Sequence, residues 1–310
     1  MELLYFFAEH RNTFFNILQD VVMNIGSELF LMGIICFLYW AHDKHLAVKI
    51  GFAYFYSGLL VQGLKIALRI PRPWIIDSKF EPLASAKPTA TGYSFPSGHS
   101  QTAAAVMGTL FMEIKKTPLR VLFAVLLLAV GWSRMYAGVH TPYDVAAAIV
   151  LTLVVVVVLY WLWKKATKES AASISIGNSA SKDSFREMTY KLSIILIVLS
   201  ILSGVYCLLM YRILGLVDYA NVSDLVKLSG ASLGFGMGAI LENRFVRFST
   251  QGTLPRKLLR VLAGLAVLVL LKTVLKLAFS PLGLIGDFLR YTLLILWIMV
   301  LYPMLWKRNE

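Results

Sequence analysis

The sequence predicts an all-α fold, a polytopic bundle of membrane-spanning helices preceded by an N-terminal interfacial helix. Of the 310 residues, 58% are hydrophobic and only 15% are charged, whereas soluble domains carry roughly 25% charged residues. The mean hydropathy is +0.71. Apolar runs long enough to cross a hydrocarbon core of about 30 Å recur along the chain and predict about nine transmembrane helices.

The chain divides into four predicted regions. Residues 1–24 mix apolar and charged side chains without a clean spanning run, which is typical of an amphipathic interfacial helix. Five spans in 25–163 form a predicted core, and a polar Ser-, Ala- and Lys-rich linker follows at 164–190. Four further spans in 191–310 form a predicted accessory bundle. The nine spans are 25–41, 47–69, 98–114, 118–136, 142–163, 191–213, 225–242, 258–277 and 284–305.

Small residues dominate the seventh span, whose sequence includes LVKLSGASLGFGMGAI. Glycine, alanine and serine at a helix surface let neighbouring backbones approach closely. The stretch therefore predicts tight helix packing and needs no catalytic explanation.

The distribution of positive charge predicts the orientation of the chain in a plasma membrane. Lysines and arginines cluster in alternate loops and in the C-terminal tail, whereas the loop 215–224 has none. The positive-inside rule then places the N-terminus outside and the C-terminus in the cytoplasm. The net charge of +13 is scattered among these loops, so no nucleic-acid partner is expected.

Several cations fall on the predicted outer side, against this bias. They lie near three polar segments that interrupt the apolar pattern, and an anionic ligand would account for them. The residues are Arg69, Arg72, Lys79, Lys87 and Arg134.

The first polar segment, KIALRIPRP, ends the second span. Lys65 and Arg72 are seven residues apart, two turns along one face of a helix, and the flanking prolines could turn Arg72 inward. A lysine point charge and an arginine fork suit the oxygens of a phosphate. Taken alone, the pair is equally consistent with two cations that extend to the membrane interface.

The second segment, PSGHS, begins the third span. Ser97 is a candidate N-cap, and Gly98 and His99 stand at the helix N-terminus, where backbone N–H groups favour an anion. A capped helix start with an incidental histidine is the simpler alternative.

The third segment is SRMYAGVHTPYD. His140 and Asp144 are at i and i+4, so the carboxylate could fix the imidazole tautomer and leave the other nitrogen as a nucleophile. Arg134 adds a third cation. A metal site is the rival use of these residues, but nearby cations oppose it, so no metal or other cofactor is expected.

Together and in this order, K-x6-RP, PSGH and SR-x5-H-x3-D resemble the three signatures of the type-2 phosphatidic acid phosphatase superfamily, the lipid phosphate phosphatases. The resemblance covers 25–163, about half of the chain. The nine-span plan is similar to the glucose-6-phosphatase and sphingosine-1-phosphate phosphatase branches. The resemblance to this superfamily implies a metal-independent membrane phosphatase. Its implied partners are the bilayer and a substrate that is a lipid phosphate or polyprenyl pyrophosphate.

The resemblance also implies a role for each matching residue. It implies that His140 is the nucleophile of a phosphohistidine intermediate, held by Asp144, and that His99 is the general acid. The implied phosphate-binding residues are Lys65, Arg72, Ser97, Gly98 and Arg134.

Three other functions remain open at this point. The substrate could be a soluble sugar phosphate, or the chain could transfer the phosphoryl group to another lipid. A lipid-phosphate transporter would need the cations but neither the nucleophile nor the acid.

Overall fold

The computed structural model describes residues 1–173 and 179–306, and their side chains apart from those of 28–29, 168–173 and 179–183. Within these residues the chain is helical and contains no strand, so the predicted all-α bundle is confirmed. The helices are α1 Glu2–Glu9, α2 Thr13–Ile25, α3 Glu28–Phe37, α4 Lys44–Leu68, α5 Pro73–Ile76, α6 Gly98–Glu113, α7 Thr117–Tyr136, α8 Pro142–Ser173, α9 Ser179–Leu208, α10 Tyr219–Leu241, α11 Leu254–Phe279 and α12 Gly283–Leu296.

The predicted count of nine spans is not confirmed. Six helical runs in the described chain are long and apolar enough to cross a membrane, and a bent pair, Thr13–Ile25 with Phe30–His42, would make seven. α6 has 16 residues, or about 24 Å, less than a bilayer core of about 30 Å. The predicted eighth and ninth spans lie in one helical run, Leu254–Trp306, which folds back on itself between α11 and α12, since Tyr302 Oη donates to Arg260 O at 2.6 Å. The chain is a multi-pass membrane protein with six to seven candidate spans in the described residues.

The predicted N-terminal helix is divided in two. α1 ends at Glu9, and α2 begins after Asn12, whose side chain accepts a hydrogen bond from the Phe15 N–H. Val22 of α2 packs in a buried apolar cluster with Val130 of α7. This end of the chain is therefore attached to the predicted core.

The predicted linker, 164–190, overlaps two long helices. α8 extends to Ser173 and α9 begins at Ser179, while the middle of the linker, 174–178, lies outside the described residues. The boundaries of the predicted regions therefore stay predictions.

Small residues on α4 join the N-terminal half of the bundle to α10. Gly51 and Gly58 lie two turns apart on α4 and face Phe235 and Leu228, which are equally spaced on α10. A Cβ atom at Gly58 would lie 2.9 Å from Leu228 Cδ2, closer than normal van der Waals contact. The two halves therefore meet along a close helix crossing.

The glycines of α10 also face α12, as the small-residue stretch predicts. A Cβ atom at Gly234 would lie 2.5 Å from the Thr292 carbonyl oxygen, and one at Gly230 would overlap the Phe288 carbonyl. Thr292 Oγ1 donates to the Gly230 carbonyl oxygen at 2.9 Å. α10 is thus packed tightly between α4 and α12, which fixes the position of its first turns beside the three polar segments.

Candidate functional site

The three polar segments meet at one end of the bundle. The link from α4 to α6 is tied to α8 and to its own start by backbone hydrogen bonds, from Ser97 N to Asp144 O at 3.0 Å and from Ser94 N to Ile70 O at 2.8 Å. Leu83 N donates to Ala137 O at the end of α7 at 2.8 Å. These bonds hold a non-helical segment against three helix ends and so bring distant motif residues together.

His140 and Asp144 form the pair that the i, i+4 spacing predicts. His140 Nδ1 lies 3.4 Å from Asp144 Oδ2. The same oxygen accepts hydrogen bonds from Ser94 Oγ at 2.6 Å and from the Thr141 N–H at 2.7 Å. On the other side of the ring, Nε2 lies 2.9 Å from Arg72 Nη1. These partners assign the proton to Nδ1 and leave a lone pair on Nε2.

The imidazole of His140 is buried, in the turn between α7 and α8. Burial lowers its pKa well below the usual value, and the positive charges of Arg72, Lys65 and Arg134, with His99, lower it further. A lowered pKa keeps the ring neutral at neutral pH, because the charged form is disfavoured. The geometry and the charge state therefore both provide a nucleophilic nitrogen.

Arg72 is held in place by backbone carbonyls. Its Nε donates to Gly92 O at 3.1 Å, Nη2 to Thr91 O at 2.6 Å and Nη1 to Val139 O at 2.9 Å. Such a network fixes the plane of the guanidinium before any ligand binds.

Lys65 reaches the same cavity by a different route from the predicted one. α4 ends at Leu68, and Arg69 takes a left-handed conformation with φ 53°, so Lys65 and Arg72 do not share a helix face. The chain instead turns back after the helix, and Lys65 Nζ donates to Tyr93 O at 3.2 Å. Two neighbouring stretches of one loop thus position both cations.

The N-terminus of α6 faces the site. Ser97 is its N-cap, with Oγ accepting from the Ser100 N–H at 3.4 Å. Its hydroxyl is buried and does not line the cavity, so the structure gives Ser97 a capping contact. Gly98 and His99, in contrast, line the cavity, where the positive end of the helix favours an anion.

Arg134, in the last turn of α7, is the most unusual of the predicted residues. Its side chain is 0% exposed, and none of its three guanidinium nitrogens has a hydrogen-bond partner among the described residues. It does not line the cavity that the other residues surround. A buried guanidinium without partners is costly, which indicates a role other than stability.

These groups surround one cavity, hereafter the site cavity, with a space of about 820 Å³ including its open mouth. Five of the eight predicted residues line it, and Ser97, Arg134 and Asp144 do not. Among the described residues, no group of three or more His, Cys, Asp or Glu could hold a metal ion. The five lining residues are Lys65, Arg72, Gly98, His99 and His140.

Asp224 of α10, which is not among the residues that the sequence motifs predict, also lines the site cavity. Its Oδ2 accepts a hydrogen bond from Thr91 Oγ1 at 2.7 Å, and Lys227 Nζ lies 3.7 Å from Oδ1. Because Thr91 O accepts from Arg72, the carboxylate holds the loop that holds the guanidinium. The only signal in the sequence was an acidic residue in the first turns of an otherwise apolar helix.

Two family models match this chain. The first, the PAP2 superfamily, matches residues 46–168, which include all eight predicted site residues. The second, the PAP2 superfamily phosphatase transmembrane extension, matches 226–310. Asp224 lies just before the extension and lines the same cavity as residues of the first segment.

Curated relatives match shorter parts of the chain. Human sphingosine-1-phosphate phosphatase 2 is 27% identical over 159 residues, which are 49% of this chain and 39% of that protein. The Bacillus licheniformis bacitracin transport permease protein BcrC is 40% identical over 68 residues, 22% of this chain and 32% of that protein. The chain therefore spans well under two thirds of the length of these relatives.

Two solved structures are similar to part of this chain. Aquifex aeolicus LpxE is 23% identical with a TM-score of 0.45, and the match covers 51% of this chain and 92% of that one. A transmembrane PAP2-type phosphatidylglycerolphosphate phosphatase from Bacillus subtilis is 24% identical with a TM-score of 0.44, covering 53% and 84%.

Proposed function

We propose that this chain, which matches the PAP2 superfamily over 46–168 and its transmembrane extension over 226–310, is an integral-membrane phosphatase that hydrolyses a lipid phosphate or polyprenyl pyrophosphate without a metal ion. One observation carries this proposal: three segments distant in sequence surround one cavity with two cations, two histidines and a helix N-terminus. Phosphoryl transfer needs mainly positioning and neutralisation of charge, which this arrangement supplies.

In the proposed first step, His140 Nε2 attacks the phosphorus and the bond from phosphorus to the ester oxygen breaks. His99 gives its proton to that oxygen, so it must be protonated when the substrate is bound. Lys65, Arg72 and Arg134 neutralise the phosphoryl oxygens, and the α6 N-terminus at Gly98, capped by Ser97, adds its N–H groups. Asp144 accepts from Nδ1 and stabilises the charge that develops on the ring.

In the second step, water attacks the phosphohistidine. His99 takes the proton from that water, the P–N bond breaks, and inorganic phosphate leaves. His140 returns to its neutral form and His99 to its protonated form, so the cycle balances without another reactant.

The membrane-spanning character of the helices and the match to a protein named sphingosine-1-phosphate phosphatase 2 support a lipid phosphate as the substrate. The match to a protein named a transport permease favours a lipid-phosphate transporter as the second candidate. A soluble sugar phosphate or transfer to a lipid acceptor would use the same cavity.

A substrate panel tests the proposal. Purified protein should release phosphate from lipid phosphates in EDTA as well as in Mg²⁺, and faster than from a sugar phosphate. A strict requirement for Mg²⁺ would contradict the metal-free mechanism. A preference for the sugar phosphate would replace the lipid by a soluble substrate, and formation of a phosphorylated lipid would indicate a transferase.

Phosphate release by membrane vesicles tests the proposed orientation. In this orientation the N-terminus and the site cavity lie outside the plasma membrane and the C-terminus lies in the cytoplasm. The supporting observation is the bias of lysine and arginine toward alternate loops. Right-side-out vesicles should hydrolyse a membrane-impermeant phosphate ester without added detergent. Hydrolysis only after permeabilisation would place the site on the cytoplasmic side.

Asp224 should act as a positioning residue for Arg72 within this mechanism. We expect Asp224→Asn and Thr91→Val each to lower kcat/KM about tenfold, because either change weakens a charge-assisted hydrogen bond that holds the loop. The double variant should lose no more than either single variant, because both remove one interaction.

Asp218→Asn is the matched control, since that carboxylate is exposed at the start of the same helix. Additive losses in the double variant, or an equal loss in Asp218→Asn, would show that the hydrogen bond does not position Arg72.

A further inference from the structure

A second cavity, hereafter the apolar cavity, lies between α3, α4, α10 and α12. Its space is about 910 Å³ including its open part. Side chains such as Ile35, Phe55, Ala231, Phe235 and Ile295 line it, and its only charged lining groups in the described chain are Asp224 and Lys227. The catalytic steps proposed above do not involve this space.

The apolar cavity adjoins the site cavity. Tyr54, Asp224 and Leu228 line both. Asp224 and Lys227, 3.7 Å apart, thus stand where the polar and apolar spaces meet. The combined space has cations and histidines at one end, a pair of opposite charges at the junction and hydrocarbon side chains beyond it.

This order of surfaces matches that of an amphiphilic phosphate monoester. We propose that the apolar cavity receives a single hydrocarbon chain of the substrate while its phosphate lies at His140, an inference that rests on the proposed function. The head group would pass the Asp224–Lys227 pair, where polar atoms find partners, and the chain would displace water from apolar walls. A small soluble ester would leave this space unfilled.

The two sides of the apolar cavity come from different parts of the sequence. α3 and α4 precede or belong to the first matched segment, whereas most of the lining residues of α10 and those of α12 belong to the transmembrane extension. The transmembrane extension would therefore select the hydrocarbon chain of the substrate, while the first matched segment cleaves the phosphate ester. This assigns a binding role to helices that contribute only Asp224 and Leu228 to the site cavity.

A series of linear monoalkyl phosphates from butyl to dodecyl, presented at a fixed mole fraction in detergent micelles, tests the inference. For the unmodified protein, kcat/KM should rise with chain length, by less than the about fourfold per methylene that burial from water gives, because the micelle already shields the chain from water. Ala231→Phe should fill the apolar cavity, remove this rise and leave butyl phosphate hydrolysis unchanged. Ile35→Trp, on the opposite wall, should have the same effect.

Met237→Phe is the matched control, because Met237 lies on α10 with an exposed side chain and does not line the cavity. A chain-length dependence that survives both cavity variants would overturn the inference and leave the space to a membrane lipid. An equal loss on all esters in both variants would also overturn it. Hydrolysis of butyl phosphate by the unmodified protein reports separately on the proposed function, so the two can fail independently.

Discussion

Replacing His140 by alanine should reduce phosphate release from a lipid phosphate by about 10⁴-fold or more, the range seen when a catalytic nucleophile is removed. The side chain is buried, its Nδ1 faces a carboxylate, and its Nε2 carries the lone pair that accepts from Arg72 Nη1. No other described group of the site cavity has this combination of neutral charge and fixed orientation. The measurement is initial rate at saturating substrate with purified protein.

Two further readouts identify the reason for the loss. Rapid acid-free quenching of the unmodified protein with ³²P-labelled substrate should trap acid-labile label on the chain, and His140→Ala should not be labelled. Tyr143→Phe is the control, because this neighbouring side chain is 82% exposed. Retained turnover in His140→Ala would contradict the mechanism, and substrate movement across vesicles without turnover would favour the transporter.

Replacing Arg134 by methionine should lower kcat/KM about 10²- to 10³-fold, the usual cost of losing one group that stabilises transition-state charge. The free protein should not lose stability, because the change removes a buried charge whose nitrogens have no partners in the described chain. Activity and stability would then move in opposite directions, as expected where a functional charge is held at a cost in folding.

Thermal unfolding in detergent, with and without orthovanadate, measures both effects. Vanadate should raise the Tm of the unmodified protein and not that of Arg134→Met, because only a bound anion adds stability to the folded state. Arg120→Met, at the opposite end of α7 with its Nε bonded to Ile114 O, should keep the vanadate shift. A Tm shift of normal size in Arg134→Met would show that the guanidinium does not bind the phosphoryl group.

The membrane bundle and the positions of its helices follow from the sequence, because apolar runs and helix caps are local properties. Every predicted span overlaps a helix at the same place in the chain. The number of spans does not follow, because bends and helix length affect it: α6 is 16 residues long, and Thr13–Ile25 and Phe30–His42 form a bent pair. Hydropathy reports composition and is insensitive to such breaks.

The candidate site, like the fold, has some features that were predictable from the sequence and others that were not. The pairing of His140 with Asp144 was predictable, since the two lie only four residues apart where α8 begins. The N-cap position of Ser97 was likewise predictable from its motif. By contrast, Lys65 and Arg72 converge through a loop that their spacing does not reveal. The tertiary structure also decides that the Arg134 guanidinium has no hydrogen-bond partner among the described residues.

What the sequence by itself determined was the class of the protein and the residue types of its phosphate site, because motif spacing and apolar periodicity are encoded locally. Only the tertiary structure brought Asp224 to the site cavity and formed the apolar cavity beside it. Both depend on α10 lying between α4 and α12, which is possible because glycines of α4 and α10 allow close contacts with residues far away in the sequence. Contacts between distant helices depend on the packing of the whole bundle, and no single segment of the sequence contains that information.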